Sequence, residues 1–155
     1  MMIWQYPKTL RLMMALSLLF SAPAWAETGN AGSDEENAMI RIHVMIADET
    51  LTATLDDTPA GRDFAALLPL ELTLSDYHAT EKIADLPRKL DTSQAPPSYT
   101  PQAGDITYFA PWGNLAIFYK PFQAASGLVR LGALNGPIDA LLRDDSLHIR
   151  IEVDE

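Results

Sequence analysis

Four stretches of this chain carry an apolar side chain at every second position. A strand is the regular backbone that gathers such a pattern onto one face. Ile40, Ile42, Val44 and Ile46 alternate with polar Arg41 and His43, and Leu51, Ala53 and Leu55 alternate with Thr50, Thr52 and Thr54. Leu70, Leu72 and Leu74 repeat the pattern, as do Leu147, Ile149, Ile151 and Val153, with His148, Arg150 and Glu152 opposite. Asp48-Glu49 between the first two runs suggests a hairpin. The 155 residues include no cysteine, so packing and backbone pairing must supply the stability, and thiol chemistry and thiolate metal sites are excluded.

Between these runs the period changes. Thr58 suits a helix cap, Pro59 the first helical position, and Ala60, Phe64, Leu67 and Leu68 share one helical face before Pro69 ends it. Ser75-Asp76-Tyr77-His78 reads as a bend. The proline-rich stretch from Ala79 to Pro101, with Pro96-Pro97, reads as an irregular excursion of the kind that often carries function. The densest apolar region follows: Ile106 to Ala110, a turn at Pro111-Trp112-Gly113-Asn114, then Leu115 to Tyr119. Both faces of this hairpin are apolar or aromatic, which predicts a central position with the second face covered by a helix, a loop or a ligand. Leu128 to Leu134 reads as another strand, and Asn135-Gly136-Pro137 launches a short helix from Ile138 to Leu142. The expected fold is mainly β, a barrel or a sandwich, and closing the sheet would remove its exposed edges.

The first 26 residues read as a leader. Lys8 and Arg11 precede or open an apolar run from Leu12 to Phe20, Pro23 breaks the helix, and Ala24-Trp25-Ala26 has the small-x-small pattern that signal peptidase reads before Glu27. The competing reading, an uncleaved anchor, meets an apolar core shorter than the ~20 residues of a bilayer span. Export by the Sec route to a bacterial periplasm or beyond is the expectation, with no stable membrane anchor once the leader is cleaved. Residues 27–38, small, polar and acidic, read as a flexible linker, and residues 39–155 as one domain. The whole chain has a net charge of −10; the leader holds two basic residues and no acidic ones, so its loss leaves −12. Such a charge repels nucleic acid and anionic membrane surfaces.

The stretches ATLDDTPAGRDFAALLPLELTLSDYHATEKIADLP, GDITYFAPWGNLAIFYKPF and VRLGALNG, in that order and followed by a short helix and a closing strand, resemble the bacterial cyclophilin-like domain family. The resemblance covers about residues 40 to 153. It rests most on LLPLELTLSDY with Glu81-Lys82, on Gly104-Asp105-Ile106-Thr107-Tyr108, and on Arg130-Leu131-Gly132. It implies a closed cyclophilin-like β-barrel of about eight strands with two short helices. The parent fold suggests peptidyl-prolyl isomerisation, in which an apolar pocket holds the proline ring while an arginine stabilises the twisted amide. The chain departs from that pattern, with no match to the Phe-His-Arg segment that supplies the arginine or to the glycine-rich run after it. Neither Arg62 nor Arg130 can be carried over to that role, and no catalytic residue is assigned.

The candidate ligand-binding residues come from the aromatic hairpin and its neighbours. Tyr108, Phe109, Trp112, Phe118 and Tyr119 fall within twelve residues, enough to line a groove for an apolar or proline-containing ligand. The other reading is that alternate positions fill the core; Trp112, in a turn, is the best pocket residue. Tyr77, Glu81 and Lys82 stand beside the expected mouth of the barrel, where the mixed charge would orient a polar group or form a surface ion pair. Arg130 has the geometry to bind a carboxylate or phosphate bidentately, or to cap the outer sheet face. His43, His78 and His148 would have to converge for a zinc site, and His78 is distant in sequence from the strands that could bring the others together, so no metal or other cofactor is expected. Asp56-Asp57 and Asp144-Asp145 lack the spaced ligands of a calcium loop. No nucleophile elbow, Walker or dinucleotide fingerprint is present. The expected partner is therefore a small-molecule or peptide ligand, with the irregular excursion as a lid. A divergent prolyl isomerase and a non-catalytic envelope interaction module are the alternatives.

Overall fold

The computed structural model describes residues 39–155; the leader and the linker expected upstream lie outside the described residues. Ten strands form in chain order: β1 Ile40–Ile46, β2 Glu49–Leu55, β3 Leu70–Tyr77, β4 Glu81–Asp85, β5 Ser98–Tyr99, β6 Asp105–Phe109, β7 Asn114–Phe118, β8 Ala125–Ser126, β9 Leu128–Leu134 and β10 Ser146–Val153. Eight of them close into an antiparallel barrel in the order β1-β10-β3-β4-β7-β6-β9-β2, while β5 and β8 pair separately. Closure satisfies every barrel edge, as the alternating pattern anticipated.

While Val153, at the end of β10, stays 41% exposed, each alternating run delivers apolar residues to one interior. Ile42, Val44, Ile46, Ala53, Leu55, Leu74, Ile106, Leu115, Ile117, Leu131, Ile149 and Ile151 are all buried there. The helix α1, Pro59–Ala65, is capped as its sequence suggests: the Thr58 side chain accepts from the Gly61 N–H at 3.0 Å, and Phe64 is driven into the core. A 3₁₀ turn at Asp139–Leu142 buries Ala140 and Leu141 in the same core.

Two segments differ from the sequence reading. Ser75, Asp76 and Tyr77 continue β3 instead of bending, and the reversal comes one residue later, where His78 and Ala79 adopt positive φ of 51° and 49°. Residues 81–85 are also not part of an irregular excursion. They form β4, paired with β3 through Tyr77 and Glu81 and with β7 along its whole length. The pattern was concealed because the inward position that an apolar residue would mark is held by Lys82, only 2% exposed.

The rest of the proline-rich excursion folds back on the barrel. Its short strand β5 pairs with β8, Gly127 N–H donates to Pro97 O at 3.0 Å, and Phe122 N–H donates to Pro101 O at 3.1 Å. Tyr99 and Ala125, one from each strand, pack against a small second cluster of Ala116, Phe118 and Leu128 on the outer wall.

Candidate functional site

The pleat of β6 and β7 decides which aromatic side chains are available. Tyr108 joins Ile106, Leu115 and Ile117 in the barrel interior, where its hydroxyl accepts from the Leu90 N–H at 3.3 Å. Phe109 and Phe118, an odd number of positions from Tyr108 along the ladder Tyr108↔Leu115, emerge on the opposite, outer face. The two readings of the hairpin, core packing and pocket wall, thus apply to alternate residues.

Over that outer face lies a cleft of about 570 Å³, lined by Tyr77, His78, Thr80, Glu81, Phe109, Trp112, Asn114, Phe118, Phe122, Ala125 and Leu128. Trp112, in the β6–β7 turn, is 60% exposed and reaches back along the wall to meet Phe109 edge-on, ring centroids 5.4 Å apart. Phe122, 47% exposed, stacks on Phe118 at 6.4 Å. Two exposed rings backed by buried ones make a wall that is apolar yet reachable from solvent.

Besides His78 and Thr80, two polar groups whose side-chain oxygens have no partner among the described residues interrupt this wall. Burial pushes the Glu81 carboxyl up to about 7, and it makes no hydrogen bond or ion pair with any described residue. Asn114 is buried, its Nδ2 donates to Leu115 O at 3.1 Å, and its Oδ1 has no partner among the described residues. A buried amide oxygen left unpaired costs about 1–3 kcal/mol.

Of the residues proposed from sequence, Tyr77, Glu81, Phe109, Trp112 and Phe118 are brought together here. The other four stand elsewhere. Tyr108 is in the core. Lys82 turns to the inside of β4, where its ammonium donates to Asp144 O at 2.6 Å and lies 3.4 Å from Asp76. Tyr119 donates its hydroxyl to the same Asp76 carboxylate at 2.5 Å; burial and that bond raise the phenol to about 12, and the bond holds the carboxyl below its usual range. These three groups plug one end of the barrel. Arg130 pairs with Asp56 at 2.8 Å and faces Asp105 at 3.7 Å, while Tyr99 donates to Asp105 at 2.5 Å; its charge is already matched on the outer sheet face.

Sequence reasoning missed His78, Thr80, Asn114, Phe122, Ala125 and Leu128. Phe122 and Ala125 reach the outer wall because β8 and the segment before it fold across, a long-range pairing that no local pattern reports, while Leu128 arrives through the pairing of β9 with β6 opposite Phe109. Of the excursion expected as a lid, only Thr80 and Glu81 at its start line this cleft, and the part beyond β4 does not. Its Asp91, Gln94, Ala95, Pro96 and Tyr99 line a separate depression of about 400 Å³ beside α1. Among the described residues no cluster of His, Asp and Glu has the geometry of a metal site. His43 stands opposite Glu152 and His148 opposite Thr73, on different ladders.

Comparison with known proteins places residues 44–152 within the family model described as the cyclophilin-like family. No curated protein matches the chain. Among solved structures the chain is similar to the solution structure of the hypothetical protein AF2241 from Archaeoglobus fulgidus, with 15% identity and a TM-score of 0.56, over 76% of this chain and 97% of that one. At that identity the likeness is one of fold.

Proposed function

The chain belongs to the cyclophilin-like family, and from that premise we propose that it is an exported binding domain whose outer-wall cleft takes up a small molecule or a peptide segment. One observation carries the reading: a single cleft combines solvent-reachable aromatic faces with a carboxyl and an amide oxygen that no described residue satisfies. Packing alone would fold Trp112 inward and give Asn114 Oδ1 a donor. A ligand that covers the rings and donates to these oxygens satisfies both at once.

The reading is of binding, not of prolyl isomerisation. No arginine or lysine lines the cleft to stabilise a twisted amide; Arg62 pairs with Asp57, and Arg130 with Asp56. With the leader removed after Ala26, the domain works in the periplasm or outside the cell.

Screening small-molecule and peptide libraries by protein NMR tests the proposal. Perturbations concentrated at Tyr77, Phe109, Trp112, Phe118 and Phe122 support it. A folded, monodisperse sample that responds to nothing in either library overturns it.

A further inference from the structure

We infer that the ligand of the outer-wall cleft is an organic ammonium: an apolar body ending in a protonated amine, with the charge against the Glu81 carboxylate and the body along the aromatic rings. The inference rests on the binding reading above and narrows it to one chemical class.

The wall is built to accept hydrogen bonds. Glu81 accepts from no described residue, and Asn114 has committed its Nδ2 to Leu115 O, so its amide orientation is fixed with Oδ1 unsatisfied. A ligand that only accepts would leave both oxygens unpaired, whereas an ammonium brings three donors.

The charge balance points the same way. No arginine or lysine is among the lining residues. Lys82, adjacent to Glu81 in sequence, faces the other side of β4 with its ammonium on the carbonyls of Asp144 and Asp145 at 2.6 and 3.5 Å. Lys120 sits over the Tyr119 ring at 5.7 Å. An anionic ligand would meet the Glu81 carboxylate with no arginine or lysine in the wall to offset it, His78 being the one basic side chain there, in a chain already strongly acidic. Aromatic faces add to the preference for a cation, because the ring quadrupole attracts positive charge and indole does so best. Trp112 and Phe122 present such faces to solvent.

Register sets the shape of the ligand. Glu81 stands opposite Phe118, whereas Asn114 lies four residues away on the same strand, so the two acceptors are about 13 Å apart along the ladder. An amine at the Glu81 end therefore has a length of apolar wall to fill before it reaches the second acceptor. That favours an extended body over a compact cation.

The test is an NMR titration of protein from the full-length chain, at pH 8, with probes of one chain length: hexylammonium, 1-hexanol and hexanoate. The expected result is binding of hexylammonium about tenfold tighter than 1-hexanol, hexanoate being weakest, with cleft resonances shifting. Glu81→Gln is expected to bring the amine to within about twofold of the alcohol. If the alcohol binds as tightly as the amine, or the Gln variant keeps the full preference, the ammonium assignment is overturned while the cleft reading stands. Silence of all three probes also overturns the assignment, and the library screen then decides separately whether the cleft binds anything. Nα-acetyl-lysine methylamide separates the two sources of such a cation: affinity equal to that of hexylammonium assigns the cleft to a peptide lysine, and weaker binding to a free amine, either supporting the class.

Discussion

Trp112 meets Tyr77 edge-on, ring centroids 5.7 Å apart and planes at 89°, although one lies in the β6–β7 turn and the other at the end of β3. The indole thus arches over the outer faces of the intervening strands and forms a wall of the cleft. Because it is 60% exposed, little of the fold depends on it. Trp112→Ala is expected to change unfolding free energy by no more than about 1 kcal/mol while weakening ligand binding about tenfold. Urea unfolding and a ligand titration on the same sample check the separation; equal losses in both would show that the ring is structural. Trp4 and Trp25 lie in the expected leader, so after cleavage Trp112 is the sole indole and its emission should move to the blue as ligand covers it.

Glu81 makes stability depend on pH in a defined direction. Its folded value of about 7 lies above the ordinary 4.5, so between those values the folded chain holds more protons than the unfolded one. Stability is therefore fully present below about pH 4.5 and declines as pH rises to 7, by about 1–3 kcal/mol once solvent screening is allowed for. The charged or titratable groups on the elements around it are Asp76, Tyr77 and His78, Lys82, Tyr119 and Lys120, and Asp145. The carboxyls lowered by hydrogen bonds, Asp63, Asp76 and Asp91, act below this window. Glu81→Gln is expected to flatten the slope between pH 4.5 and 8; a slope identical to that of the parent protein would remove Glu81 as its cause. At pH 5.5 an ammonium ligand should expel about one proton, measurable by calorimetry in buffers of different ionisation enthalpy.

Lys82 ties β4 to the segment before β10 from inside the barrel. Substitution by methionine keeps the stem but leaves the Asp144 carbonyl without its 2.6 Å donor and removes the cation facing Asp76. A loss of about 2–4 kcal/mol is expected in urea unfolding. Asp76 keeps its bonds from Tyr119 and the Ala79 N–H, so the barrel should still close. A methionine variant as stable as the parent would show that the plug is dispensable.

Gly132 is needed where β9 meets β2. It pairs with Leu55, and a Cβ there would lie 2.1 Å from Thr54 O and 2.8 Å from Leu55 Cα, both backbone atoms that cannot rotate away. Gly132→Ala is expected to cost about 3 kcal/mol or more and to show first as loss of hydrogen-exchange protection across the β2–β9 seam. Retention of that protection would mean the seam can part without harm.

Much of the barrel was legible because its interior obeys a two-residue rhythm. Ile40 to Ile46, Leu51 to Leu55 and Leu147 to Val153 became β1, β2 and β10 with their apolar faces inward, and Thr58-Pro59 opened α1. The rhythm failed at β4, where a buried lysine imitates a loop. It was also silent on the cleft. Phe109 and Phe118 were visible as aromatic residues, but their reach to Phe122 and Ala125 depends on β5 pairing with β8 across a long stretch of chain, and to Leu128 on β9 pairing with β6. Asn114 gave no warning at all, since an asparagine in a turn is ordinary and only its unpaired oxygen sets it apart.

Alternate residues of β6 and β7 report to two different masters. Positions 106, 108, 115 and 117 fill the interior, while 109, 114 and 118 form the wall of the cleft. Selection can therefore rewrite what the surface recognises without disturbing what keeps the molecule folded. A lineage built on this scaffold is free to diversify its ligands one exchange at a time.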